Sequence, residues 1–305
     1  MEVEKPSKKT SKDVFLDCIA ECELLLAFTF FAIAGNMGRN GLIELTSFES
    51  YGSIWPNFTG CVVIAFSSSI LNSVLFPLVT TGFCGAMTTF SELITDVFLQ
   101  STTPKPNWPN HGYGVPMFMA RLLIELNCSF AGYLVGIHLG KLYEYLQFGK
   151  LSVKNEVLVR RLLEFLGLAA WVVCLVTSIT TKSEKRWWAL SGVFSPFGVW
   201  LRYYLAKLNK PNRWFKWGTF AANIFGTLLA CVFQTCILLP TTSSLQRQIL
   251  TALQKGLVGC LTTISTFVKE MNTMRTGKAY IYGIITLFCA YSLAFIIIGS
   301  YKWTR

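Results

Sequence analysis

Two stretches, GFCGAMTTFSEL at 82–93 and GLVGCLTTISTF at 256–267, place glycine pairs and paired threonines inside runs apolar enough to be helices. Glycine weakens a helix and threonine hydroxyls bond nearby backbone, so each GxxTT is a place for the chain to unwind and free carbonyl oxygens. Backbone in that state is tolerated at membrane depth only where it is buried in protein, lines water or meets an ion. If the breaks face one another, the carbonyls of Gly85, Thr88, Gly259 and Thr262 form a cage suited to a small cation, with no charged side chain required. Phe90 and Phe267 follow the breaks, and an aromatic ring edge carries partial positive charge that can face an anion. Asn57 and Asn223 supply amide donors, while Ser91, Ser265, Tyr280 and Thr286 supply hydroxyls. Such groups replace the water shell of a small anion without a deep charged trap. The competing reading is packing, since glycines also let helices approach closely.

Other chemistries find little material. The ten cysteines have no paired spacing of the zinc or disulfide type, and His111 and His138 are the whole histidine complement. No nucleophile, base or metal constellation of an enzyme is present. A net charge of +11 would suit nucleic acid, but the basic residues gather in short connectors, a pattern that sets membrane topology instead.

The elements that must carry these groups are membrane helices: 52% of the 305 residues are hydrophobic, 14% are charged, and the apolar residues fall in blocks near twenty long. About nine spans are expected, roughly 22–43, 55–71, 74–98, 116–140, 157–180, 187–206, 216–239, 246–268 and 279–300. The span at 157–180 separates four helices from four. The predicted fold is therefore an all-α polytopic membrane protein with a polar tail (1–13), a first four-helix repeat (14–141), a connector with a linker helix (142–182) and a second, inverted four-helix repeat (183–305). A pseudo-twofold axis in the membrane plane relates the repeats.

The duplication is legible at three places. GxxxR occurs at Gly35–Arg39 and Gly198–Arg202, NxxG at Asn57–Gly60 and Asn223–Gly226, and GxxTT at Gly85–Thr89 and Gly259–Thr263, always in the same order. With the N-terminus inside, the inner connectors hold 16 basic residues and the outer ones seven, which predicts a cytoplasmic N-terminus and an extracellular C-terminus. The polar start and the absence of a cleavage pattern predict that the first helix is retained. Arg39 and Arg202, near helix ends, either support an aqueous pore mouth or snorkel to the interface. Gly132, Gly136 and Gly140 form a GxxxGxxxG packing face. Glu92 and Glu125 in apolar helices leave room for a proton-coupled transporter of a small anion, although Arg121 stands four residues before Glu125 as a local partner. A purely structural membrane protein is a third reading.

The combination of GxxxR, NxxG and GFCGAMTTFS resembles the Fluc (CrcB) fluoride channels, and the four-plus-one-plus-four plan is similar to their eukaryotic FEX exporters. The resemblance covers both halves. It implies a passive fluoride channel that works as a single-chain pseudo-dimer in the plasma membrane, exporting cytoplasmic fluoride, with a structural sodium ion held centrally by the break carbonyls and no nucleic-acid partner. In the family pattern TTFSTF two phenylalanines contribute to the pores. This sequence keeps Phe90 but has Leu93 in the first half, and has Ile264 but keeps Phe267 in the second. Pairing the first position of one half with the second of the other gives Phe90 with Phe267 and Ile264 with Leu93. That implies one working and one vestigial pore. Tyr280 and Thr286 take the places of the family's fourth-helix tyrosine and hydroxyl, with Ser129 their candidate counterpart in the first half.

Overall fold

The computed structural model describes residues 11–47, 52–71, 75–103, 111–150 and 155–304. Every element in them is helical. The first repeat comprises α1 (Ser11–Leu45), α2 (Ile54–Ile70), the pair α3 (75–87) and α4 (Phe90–Thr102), and α5 (Gly114–Tyr145). The linker is α6 (Glu156–Thr180). The second repeat repeats the order: α7 (Arg186–Ala206), α8 (Trp217–Leu238), the pair α9 (244–261) and α10 (Ser265–Thr273), and α11 (276–303). Residues 1–10 of the expected polar tail lie outside the described residues, and α1 already begins at Ser11, well before the apolar block that predicted it.

Among the described residues five helices are long and apolar enough to cross a membrane by length and composition, α2 is a shorter apolar helix, and α7 and the two broken pairs are not among the five. The broken pairs fall short because no single piece is long; each pair together makes one crossing. The linker buries only Glu164, Gly167 and Ser178 and leaves Phe165, Val173 and Ile179 exposed, which matches a helix whose outer face meets lipid. Its first turns are tied to α1 by Arg161, which pairs with Glu23 at 2.7 Å and Glu164 at 3.0 Å. One odd crossing between two four-crossing units turns the second unit over, as the sequence predicts.

Small residues decide how closely the helices approach. A Cβ at Gly132 would lie 2.5 Å from Phe58 O, and one at Gly136 would overlap Val62 O, so the glycine face of α5 rests directly on the backbone of α2. The core follows from the same proximity. Phe90, Leu93, Ile264, Phe267 and Tyr282 are all fully buried or nearly so in one cluster drawn from both halves. Gly136→Ala is therefore expected to destabilise the protein by about 1–3 kcal/mol, read as a lower midpoint of thermal unfolding in detergent. Gly41→Ala, where nothing lies within 4 Å, serves as the tolerated control.

Candidate functional site

Both GxxTT segments are broken, and each break starts upstream. Residues 78–84 and 254–258 are π-helical, a winding that leaves carbonyls out of the regular ladder. The chain then becomes extended, with Thr88 at φ −95°, ψ 149° and Thr262 at φ −83°, ψ 153°. Asparagine side chains hold each break open. Thr89 N donates to Asn57 Oδ1 at 2.8 Å and Asn57 Nδ2 donates to Thr89 O at 3.3 Å. The second half repeats this with Thr263 N to Asn223 Oδ1 at 2.9 Å and Asn223 Nδ2 to Thr263 O at 3.2 Å.

Those bonds decide which carbonyls are left over. In an unbroken helix Thr89 N would bond Gly85 O and Glu92 N would bond Thr88 O. Here Thr89 N goes to Asn57 and Glu92 N goes to Thr89 Oγ1 at 3.3 Å. In the second half Thr263 N goes to Asn223 and Thr266 N goes to Thr263 Oγ1 at 3.4 Å, which releases Gly259 O and Thr262 O. The four carbonyls singled out by sequence are thus among those whose helical donors have been captured by side chains; Met87 O and Leu261 O lose Ser91 N and Ser265 N in the same way.

The breaks meet through reciprocal contacts. Thr88 Oγ1 lies 3.0 Å from Ser265 Oγ and accepts from Ser265 N at 3.2 Å; Thr262 Oγ1 lies 3.0 Å from Ser91 Oγ and accepts from Ser91 N at 3.2 Å. An isologous pattern of this kind is the mark of a twofold relation. It also shows what Ser91 and Ser265 touch. Their hydroxyls close the interface between the halves, because each faces the threonine of the opposite break.

The expectation for the arginines is corrected. Arg39 is fully buried and Arg202 only 4% exposed, so neither sits at an aqueous mouth nor snorkels to the interface. Arg39 donates to Lys255 O of the opposite half, to Ala86 O, and to Asn36 Oδ1 at 2.6 Å. Arg202 donates to Thr81 O at 2.6 Å. Thr81 and Lys255 are equivalent positions, both in π-helical segments, so each guanidinium caps a carbonyl released by the other repeat's distortion. A side chain at Gly85 would strike Arg202, and one at Gly259 would lie 2.6 Å from Arg39.

Beyond the breaks the two expected aromatic pairs are treated differently. Phe90 and Phe267 meet edge to face, ring centroids 5.7 Å apart and planes at 65°. Leu93 and Ile264 are fully buried aliphatic side chains in the same cluster. From Phe267 the aromatic contact continues to Tyr282 at 5.3 Å. The Tyr282 hydroxyl donates to Glu270 Oε2 at 3.0 Å, and Glu270 Oε1 accepts from Thr219 Oγ1 at 2.7 Å and Asn209 Nδ2 at 3.2 Å. Tyr280, the tyrosine singled out by sequence, is 64% exposed on the outer face of α11. Two residues on a helix turn by roughly 200°, so Tyr280 and Tyr282 cannot share a face. Thr286 is buried, and its hydroxyl donates to Tyr282 O at 2.7 Å.

Sequence reasoning missed Tyr282, Glu270, Thr219 and Asn209. The one available signal was spacing, since Glu270 stands three residues after Phe267 and so shares its helix face. Glu92 forms an ion pair with Lys255 across the halves. Glu125 is fully buried and accepts from Ser53 Oγ at 3.1 Å, so the expected pairing with Arg121 is not its whole environment. Asn57→Ala and Asn223→Ala should each strand a buried break and cost about 1–3 kcal/mol in thermal unfolding.

The chain was compared with known proteins. The family described as CrcB-like protein, Camphor Resistance (CrcB), matches twice, over residues 26–137 and 189–300, leaving the linker helix between the matches. A protein of Candida albicans named Fluoride export protein 1 is 32% identical, over 97% of this chain and 85% of its own length. The Saccharomyces cerevisiae Fluoride export protein 1 is 28% identical over 91% of this chain and 92% of its own length. A bacterial Fluoride-specific ion channel FluC, from Desulforapulum autotrophicum, is 30% identical over 38% of this chain and 96% of its own length, so one bacterial chain matches about one repeat. No solved structure matches. Two family matches in tandem, on the two units that the reciprocal breaks relate, make this chain a duplicated member of the CrcB family.

Proposed function

We propose that the protein is a passive fluoride channel that carries cytoplasmic fluoride out across the plasma membrane, with its N-terminus inside. The observation that carries this reading is the edge contact of Phe90 and Phe267, continued by Tyr282 and ending on the cluster of Thr219, Asn209 and Glu270. The ring edges of Phe90 and Phe267 present partial positive charge along that line, which is what a desolvated anion needs in place of water, while the hydroxyl and amide hydrogens at its end are held by Glu270. Relatives whose names specify fluoride export or a fluoride-specific channel support the choice of anion. An inside-negative membrane potential of 100 mV supplies about 2.3 kcal/mol per exported charge, so no coupled ion is required.

The Leu93 and Ile264 side has no aromatic edges at the equivalent place, so it is the vestigial pathway in this reading. A single chain supplies both repeats and works as its own pseudo-dimer. The released carbonyls of Gly85, Thr88, Gly259 and Thr262 fit a central sodium ion, which would hold the two breaks together when bound. Arg39 and Arg202 anchor the same two breaks through backbone carbonyls.

Fluoride efflux from liposomes containing the purified chain tests the reading, with chloride as the competing anion. Flux is expected to follow voltage and to persist without a proton gradient; dependence on that gradient would favour the proton-coupled alternative. Phe90→Ala and Phe267→Ala should reduce efflux to that of empty liposomes, whereas Leu93→Ala should stay close to the parent protein. Equal loss at all three positions would contradict one live and one vestigial path. Tyr282→Phe, which removes the hydroxyl that donates to Glu270, should slow efflux, while Tyr280→Phe on the exposed face should not.

A further inference from the structure

The vestigial side carries a polar cluster of its own, at the position corresponding to Thr219, Glu270 and Tyr282. On α2 and α4, Ser53 stands where Thr219 stands on α8, and Asp96 where Glu270 stands on α10. On the fourth helix Ser129 Oγ bonds Glu125 O at 2.8 Å and Thr286 Oγ1 bonds Tyr282 O at 2.7 Å, and aligning Ser129 with Thr286 places Glu125 against Tyr282. The second half thus offers a carboxylate with a phenol that donates to it. The first half sets two carboxylates together.

The hydrogen bonding around this pair is incomplete in one direction. Ser53 Oγ donates to Glu125 Oε2 at 3.1 Å and Gln100 Nε2 donates to Asp96 Oδ2 at 2.8 Å. Glu125 Oε1 and Gln100 Oε1 are buried without a partner, and the Tyr291 hydroxyl, reaching in from α11 of the other half, is also buried and unpartnered. Glu125 is 0% exposed. Gly52, at φ +55°, brings backbone against both acids: a Cβ there would lie 2.5 Å from Asp96 Oδ2 and 3.6 Å from Glu125 Oε1. The charged groups acting on the pair are Glu92, Arg121 and Lys255, and Lys255 is already joined to Glu92. With both carboxylates ionised and Arg121 counted, the cluster carries about one unbalanced negative charge.

We propose that this cluster binds a monovalent alkali cation, sodium being the natural occupant, through Glu125, Asp96, Gln100 and the Tyr291 hydroxyl. Hard cations take oxygen ligands, and the unmatched atoms are oxygens from two carboxylates, an amide and a phenol. A proton shared between the acids, with the Tyr291 hydroxyl donating to the Gln100 oxygen, is the competing arrangement, and the two differ in their response to sodium. A multivalent metal is a poorer match, because among the described residues no group of three or more His, Cys, Asp or Glu side chains comes together. This site is separate from the central carbonyls and does not depend on the fluoride reading.

Equilibrium binding of radioactive sodium to the full-length purified protein tests it, with N-methylglucamine chloride holding ionic strength constant. Glu125→Gln and Asp96→Asn should each bind one sodium fewer per chain than the parent, whatever the central site contributes. Glu44→Gln, at the exposed end of α1 where Glu44 pairs with Lys185, should bind as the parent does. Unchanged stoichiometry in Glu125→Gln and Asp96→Asn overturns the proposal. Infrared spectroscopy of the unmodified chain gives a second test should either variant fail to fold. Exchange of N-methylglucamine for sodium should shift the carboxylate stretch, whereas a protonated-acid band indifferent to sodium overturns the site in favour of a shared proton.

Discussion

A polypeptide inside a bilayer has no water to satisfy a broken hydrogen bond, and this chain breaks its helices twice at the same depth. Everything central to the structure follows from how those groups are matched. Asn57 and Asn223 capture the amides that the ladder loses. Thr88, Ser91, Thr262 and Ser265 exchange bonds across the pseudo-twofold, and Arg39 and Arg202 each take a carbonyl from the other repeat. Neither repeat satisfies its own break alone, so the two halves have to meet, and they meet in one register.

That mutual dependence leaves the periphery free to diverge. The centre keeps its symmetry because each contact has a reciprocal partner; a change on one side strands an atom on the other. Outside it, Phe90 with Phe267 and Leu93 with Ile264 occupy equivalent places with different chemistry, and Tyr282 and Glu125 differ more sharply still. Duplication within one chain allows this, since a substitution no longer appears in both pathways as it must in a dimer of identical subunits.

The two arginines show how burial reverses an expectation. A long cationic side chain near a helix end ordinarily extends to the interface. Here π-helical segments at 78–84 and 254–258 present carbonyls inside the protein, and the guanidinium donors bond them, Arg39 to Lys255 O and Arg202 to Thr81 O. The nearby glycines are small for the same reason: the side chain that fills the space belongs to the opposite half.

The plan of the molecule was written in order and composition. Apolar block length gave the number of crossings, the repeated GxxxR, NxxG and GxxTT gave the duplication, and the odd linker gave the inversion. The pairing of Phe90 with Phe267 was implied by the resemblance to the family's TTFSTF pattern, and the structure brings those rings together. Which face of the last helix turned inward was decided only by packing, which chose Tyr282 over Tyr280 because a pattern of apolar and aromatic residues on every side of α11 carries no periodicity to read. The partners of Arg39, Ser91, Glu270 and Glu125 were likewise settled by tertiary structure. Each lies far away in sequence or on another helix, and a hydrogen bond between distant residues leaves no mark in the local sequence on either side of it.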